Sequence, residues 1–312
     1  MTESLEAYSE HSIREGSKSF ARAATLFAPE MRRSVMMLYA WCRYCDDVID
    51  GQVLGYGQQQ LSKTDKSARL QLLREETARV CDGHGSDIPA FAALAEVLRR
   101  HAIPRRYLFE LLDGFALDAA ETRFTTFDET LHYCYHVAGV VGVMMACIMG
   151  VRDPEVLHRA ADLGIAFQLT NIARDIREDL QVGRCYLPEQ WLDRMGVLPA
   201  EAEDARHAAA LHALACELVA HAEPYYASAR IGLARLPWRC AWAIGSALLI
   251  YRDIGLLLRA NPASGNRRMQ VSDRRKLWRV CGGLALAASA RVKARRRAAA
   301  PRAGLWTKAG MH

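Results

Sequence analysis

Three carboxylates crowd the stretch "YCDDVID": Asp46, Asp47 and Asp50. On a helix over 39–50, Tyr39, Arg43, Asp46 and Asp50 are spaced by four, three and four and share one face. A second row lies in 164–188, where Gln168, Asn171, Asp175 and Asp179 are spaced by three, four and four, with Arg174 and Glu178 on the adjacent stripe. A solvent-facing helix with an Arg43–Asp47 ion pair would account for the first row. The preceding "MMLYAWC" reads as buried nearly all round, which counts against that. Like charge on half-buried faces is unfavourable until a cation arrives. Oxygen ligands without His or Cys suit a hard divalent ion, Mg²⁺ or Mn²⁺. Mg²⁺ takes one or two carboxylates, keeps waters and accepts phosphate oxygens. The rows therefore predict a cluster of two to three ions carrying a polyphosphate, with Arg43, Arg174 and Lys18 neutralising the remaining charge. No Gly-rich phosphate loop is present, so nucleotide chemistry is not indicated. Diphosphate as leaving group fits better, with the ions stabilising its developing charge and an apolar helical cavity shielding the carbocation left behind.

The elements that must position these rows read as helices. Apolar residues recur at three and four, as in Leu94, Val97 and Leu98, and strand alternation is scarce. Breaks fall at 51–57, 81–89, 103–104, 150–154, 182–188, 236–237 and 261–266. Thr126 and Glu129 form a capping box, and Asp153–Pro154 an N-cap with proline at the first helical position. The chain has 312 residues, 51% of them hydrophobic. That predicts one all-α domain over 1–290, followed by a basic, flexible tail over 291–312. The longest apolar run, 137–151, is too short to span a bilayer and carries three glycines, so it reads as a buried helix. No signal peptide is evident, and nine scattered cysteines favour a reducing cytoplasm. Cys42 and Cys45 form a CxxC with no second pair, too little for zinc. The net charge of +6 gathers in "RVKARRRAAAPR". That segment is either simply solvated or in peripheral contact with acidic lipid headgroups. No aromatic-interleaved basic stripe points to nucleic acid.

At this point the motifs resemble those of the squalene/phytoene synthase family. The matching stretches are "GSKSF" (16–20), "LYAWCRYCDDVID" (38–50), "YCYHVAGVVG" (133–142), "QLTNIARDIREDLQVGRCYLP" (168–188), "LP" (236–237) and "ALLIY" (247–251). The likeness extends to about residue 280 and is greatest toward the bacterial, phytoene-forming members, with no C-terminal membrane anchor in view. It implies an all-helical isoprenoid-synthase bundle around a deep central cavity. It also implies a carotenoid-pathway prenyltransferase that joins two geranylgeranyl diphosphates head to head through a cyclopropylcarbinyl diphosphate. The products would be phytoene and two diphosphates, with no NADPH consumed. Partners would be the prenyl diphosphates and neighbouring carotenoid-pathway enzymes. Residue by residue, Asp46, Asp50, Asn171, Asp175 and Asp179 would hold metal. Arg43, Gln168 and Arg174 would hold diphosphate. Ser17, Lys18, Ser19 and Phe20 would close over the first substrate, with Tyr39 facing the same site. Tyr133 would stand near the departing diphosphate and developing cation, and Tyr251 would line the diphosphate pocket. Arg267, Arg268 and Lys276 are late basic positions that fit the family pattern less well.

Plainer readings exist for several of these. Tyr133 alone reads as a core tyrosine bonded to backbone, Ser17 and Ser19 as helix caps, and Tyr251 as packing. Two ExxH motifs, Glu129/His132 and Glu155/His158, invite di-iron chemistry. Both glutamates are accounted for at helix starts, and no bridging pair accompanies them. A non-catalytic scaffold would be expected to have lost acids from the rows, and none is missing. Within enzymes the alternative is squalene or dehydrosqualene synthesis from farnesyl diphosphate.

Overall fold

Prolines, caps and turn glycines set the helix ends where the sequence breaks. The computed structural model describes residues 4–52, 54, 57, 61–198, 201–202, 204–261, 269, 271–296 and 300–308, without the side chains of Lys18 and Ser19. Among the described residues there are helices and connecting turns but no strand. Helices α1 (Leu5–Gly16) and α2 (Lys18–Ala24) are followed by α3 (Pro29–Asp50). Pro29 opens α3, and Gly51, at φ 66°, ends it in the left-handed conformation glycine tolerates. Then come α4 (Lys63–Cys81), α5 (Pro89–Arg100), α6 (Arg105–Ala119) and α7 (Phe127–Cys134). The Thr126–Glu129 capping box is present: Glu129 accepts from the N–H groups of Thr125 (2.6 Å) and Thr126 (3.2 Å). A π-turn over Tyr135–Gly139 joins α7 to α8 (Val140–Ile148). The longest helix, α9 (Pro154–Gln181), starts with Asp153 accepting from the Glu155 N–H at 3.0 Å. After it come α10 (Glu189–Arg194), α11 (Ala208–Gly232), α12 (Trp238–Ala260) and α13 (Asp273–Arg296).

Helix α9 is the axis of the bundle. The rod formed by α7, the π-turn and α8 crosses it on small residues. A Cβ on Gly164 would come within 2.1 Å of the Ala138 carbonyl, and one on Gly142 within 2.3 Å of the Ala160 carbonyl. Only glycine permits that approach, and it brings Tyr133 to the same cavity as Gln168 and Asn171, the first two members of the second row. Two stretches, Phe127–Ile148 and Trp238–Ala260, are long and apolar enough to cross a membrane. Two-thirds of each is buried inside the bundle (67%), as core helices are.

The C-terminal region differs from expectation. The boundary drawn at 290 falls inside α13, which runs to Arg296. Residues 300–308 are docked rather than free, because the buried carboxylate of Asp162 takes the guanidinium of Arg302.

Candidate active site

A cavity of about 350 Å³ runs between α3, α6, α8, α9, α11 and α12. Its polar end is lined by Arg43, Asp46, Asp118, Tyr133, Gln168 and Asn171. One flank is aromatic: Phe167 stacks on Tyr251 (4.2 Å), and Phe20 meets Tyr251 (5.3 Å) and Tyr39 (6.3 Å). Apart from Arg159, the remainder is largely apolar, from Leu38 and Val141 to Val156 and Leu236. Such a space can hold a charged head at one end and a hydrocarbon at the other.

The first row sits on the last three turns of α3. Arg43 bridges Asp46 (3.0 Å) and Asp47 (2.7 Å), so the ion pair of the solvent-facing reading does exist, half-buried. Asp47 faces away from the cavity and accepts from the Leu54 N–H at 2.7 Å, tying the loop after α3. Asp50 is held by Arg184, which donates through both terminal nitrogens, one at 2.9 Å. The second row runs along α9. Gln168 and Asn171 line the cavity, while Arg174 forks onto neighbouring Asp175, its Nε at 2.7 Å. Asp50, Asp175 and Asp179 lie beyond the cavity lining, further along the same two helices. Ser17 is the N-cap of α2, accepting from the Phe20 N–H at 3.3 Å. Arg267 and Arg268 fall outside the described residues, and Lys276 pairs with Asp273 at 3.4 Å.

Asp118, at the end of α6, was not singled out from the sequence. Tyr133 donates to both its oxygens (3.1 and 3.2 Å), and Tyr186 donates to one (2.9 Å). The two phenols stack at 4.8 Å. Tyr133 thus has a carboxylate for a partner rather than backbone. Arg184 and Tyr186 lie in "VGRCYLP", which reads as a loop, yet the loop returns both side chains to the acids. A weak signal for Asp118 does exist: Leu111, Phe115 and Asp118 share one helix face.

The acids outweigh their cations. Burial first, then Asp50, pushes Asp46 up to about 7 against the pull of Arg43. Burial and Asp175 push Asp179 up to about 7, with Arg184 pulling the other way. Burial raises Asp118 to about 6, opposed by Arg184 and by the tyrosine hydrogen bonds. The Asp46 side chain is 37% exposed, and it lines the cavity; that exposure softens the upward push. Asn171 adds a buried Oδ1 with no hydrogen-bond partner.

The residues fit divalent ions by that orphaned amide oxygen, by acid excess and by their all-oxygen donor set. No three His, Cys, Asp or Glu among the described residues are arranged to hold an ion unaided. Mg²⁺ needs no such cage, since water and phosphate complete its shell. Cys42 and Cys45 are not ligands of this kind, because burial pushes both thiols far up and keeps them protonated.

A helical cavity with acids facing across its polar end defines an all-helical enzyme suited to a metal-held diphosphate head and an apolar tail. The particular family follows from comparison with known proteins. The squalene/phytoene synthase family pattern matches residues 13–275, and the chain belongs to that family. It is 49% identical over 296 residues to phytoene synthase of Pseudescherichia vulneris, covering 94% of each chain. It is 48% identical over 302 residues to 15-cis-phytoene synthase of a Paracoccus species, covering 96% of each. A solved dehydrosqualene synthase superposes with TM-score 0.79 at 29% identity, over 91% of this chain and 97% of that one. The family works on prenyl diphosphates and generally needs a divalent metal.

Proposed function

We propose that this enzyme joins two geranylgeranyl diphosphates head to head to give phytoene. The reading is carried by near-half identity, over almost the whole chain, to proteins named phytoene synthase. In the first step the C1–O bond of one substrate breaks, its electron pair leaving with diphosphate. The double bond of the second attacks C1, and proton loss closes a cyclopropylcarbinyl diphosphate. That intermediate loses its own diphosphate, rearranges and gives up a proton to form the triene at the centre of phytoene. Two diphosphates and two protons leave, and no reductant is consumed.

Asp46, Asp50, Asn171, Asp175 and Asp179 are assigned to hold Mg²⁺ or Mn²⁺. When bound, those ions stabilise the negative charge developing on the departing diphosphate. Arg43, Gln168 and Arg174 orient the diphosphates, and Lys18 and Ser19 belong to the segment that closes over the first. Tyr133, held by Asp118, keeps its hydroxyl at the polar end where charge separates. Phe20, Tyr39, Phe167 and Tyr251 exclude water from the cation and offer it their ring faces. The test is to supply 15-carbon and 20-carbon prenyl diphosphates separately with Mg²⁺, with and without NADPH, and identify the hydrocarbon by mass spectrometry. A 40-carbon product independent of NADPH is expected. A 30-carbon product from preferred farnesyl diphosphate, or a need for NADPH, would move the protein to squalene or dehydrosqualene synthesis.

An insoluble product calls for a bilayer nearby. Helix α13 turns Gly283 and Ala287 inward and exposes Leu277, Trp278, Cys281, Leu284 and Val292, with Arg274, Lys293, Arg295 and Arg296 also exposed. We assign this outer stripe to peripheral contact with an anionic membrane, of a cytoplasmic enzyme beside the next enzymes of its pathway. Salt-sensitive binding to phosphatidylserine vesicles, lost in Trp278→Glu, is expected, and binding unaltered by that substitution would rule the stripe out.

A further inference from the structure

The far end of the cavity is lined by an arginine. Arg159 is 3% exposed and lines the cavity beside Val156 and Leu236. Along α9 it stands about 18 Å from Asn171, at 1.5 Å per residue. Its stem packs on Gly232, where a Cβ would meet Arg159 Cβ at 3.1 Å. Its guanidinium donates to Glu155 Oε1 (2.7 Å), to Ser228 O (3.4 Å) and Oγ (3.3 Å), and to the carbonyl of Ala300 (2.7 Å).

Ala300 begins the segment 300–308, which crosses the outside of the bundle at three points. Arg302 forks onto Asp162, itself 0% exposed, with Nε at 2.7 Å and Nη2 at 2.6 Å. Ser228 Oγ donates to the same carboxylate at 2.5 Å. The Trp306 N–H donates to Tyr225 Oη at 3.2 Å, and its indole lies 5.6 Å from the Tyr135 ring. Lys308 pairs with Glu110 at 2.8 Å, and Tyr135 donates to that same glutamate. The segment therefore ties α9, α11 and α6 together from outside and shares one polar network with Arg159: buried Arg159, Ser228 and Asp162, half-buried Arg302, and Glu155 at the exposed rim.

We propose that residues 300–308 brace the floor of the cavity, and that Arg159, held in place by that brace, sets the longest prenyl chain the enzyme accepts. This rests on the reading of the cavity as a prenyl-chain site. Without Arg302 the Asp162 carboxylate lacks its cation. Without Ala300 the Arg159 guanidinium loses an acceptor. The arginine stem is then free to swing from the floor, and the cavity deepens. A segment that served stability alone would alter turnover of every chain length in parallel.

The experiment uses the full chain with Mg²⁺ and prenyl diphosphates of 15, 20 and 25 carbons, reading the ratios of kcat/KM. Arg159→Ala and Arg302→Ala should raise the 25-to-20-carbon ratio at least tenfold. Arg302→Lys keeps the charge, loses the fork and should give an intermediate rise, so it decides the brace if Arg302→Ala does not fold. Gly232→Ala adds a methyl against Arg159 at the same end and should lower the 20-to-15-carbon ratio at least threefold. Ratios within twofold of the unaltered protein in the Arg302 variants that fold would overturn the brace. The same result in Arg159→Ala would overturn the floor. If the unaltered protein prefers 15 carbons, the chain-length part of the functional reading fails, while the shift between variants still decides the brace.

Discussion

Two buried charge clusters sit at opposite ends of one cavity and are built on opposite terms. At the far end, Asp162 is met by Arg302 and Ser228, and Arg159 by Glu155, Ser228 and Ala300, so each charge has its counterpart. At the polar end, Asp46, Asp118 and Asp179 are raised toward neutrality, and Asn171 holds an oxygen that bonds nothing. Each cluster has buried charges and one more exposed acid, Glu155 at the far end and Asp46 at the polar end, but satisfaction differs. A protein keeps a buried acid cluster short of cations when a cation comes from outside. It completes the pairing when the cluster only has to hold helices together.

The contrast breaks most sharply on activity. Asp46→Asn, Asp50→Asn and Asp175→Asn should each lower kcat by about a thousandfold or more, on the order of 4 kcal/mol of barrier, in steady-state assays with Mg²⁺. Asp46→Asn should leave the melting temperature at pH 8 unchanged or higher, since it removes a charge the fold does not fully compensate. Loss of stability with activity retained would reverse the assignment of the two ends. Asp162→Asn should do the opposite, costing about 3 kcal/mol in urea unfolding because Arg302 is left buried without its anion, while Mg²⁺-dependent turnover persists.

The pH dependence sharpens the same point. Asp46, Asp118 and Asp179 have folded pKa values above the ordinary carboxylate value, so in this range the folded state binds more protons than the unfolded one. Their protonation supports the fold below about pH 4, and that support is lost as pH rises toward about 7. In EDTA the melting temperature should fall over that window. Mg²⁺ with inorganic diphosphate should flatten the slope, and a slope indifferent to these additions would contradict a metal site at the polar end. The smallest effect belongs to Glu129→Gln, which loosens a capping box for about 1 kcal/mol or less and should leave kcat untouched. Strong loss of turnover there would revive the ExxH reading.

Much of this was legible in the chain. The spacing of Tyr39, Arg43, Asp46 and Asp50 and of Gln168, Asn171, Asp175 and Asp179 needs only the helical period, because i, i+3 and i+4 side chains share a face whatever surrounds them. Caps at Thr126 and Asp153 are equally local, since their hydrogen bonds close within four residues. Asp118 was harder to find. It is one acid on an unremarkable helix, and its meaning comes from Tyr133 and Tyr186, 15 and 68 residues away.

The sequence by itself determined the helices, the two acid rows and the hard-cation chemistry they share, because local period and donor type decide those. Only the tertiary structure decided which acids keep cationic partners and which stay short of them. It alone could show that Arg184 returns to Asp50, and that Arg302 crosses 140 residues of chain to a carboxylate with no exposure. Charge pairing depends on distance in space and on burial, and neither is a property of spacing along the chain.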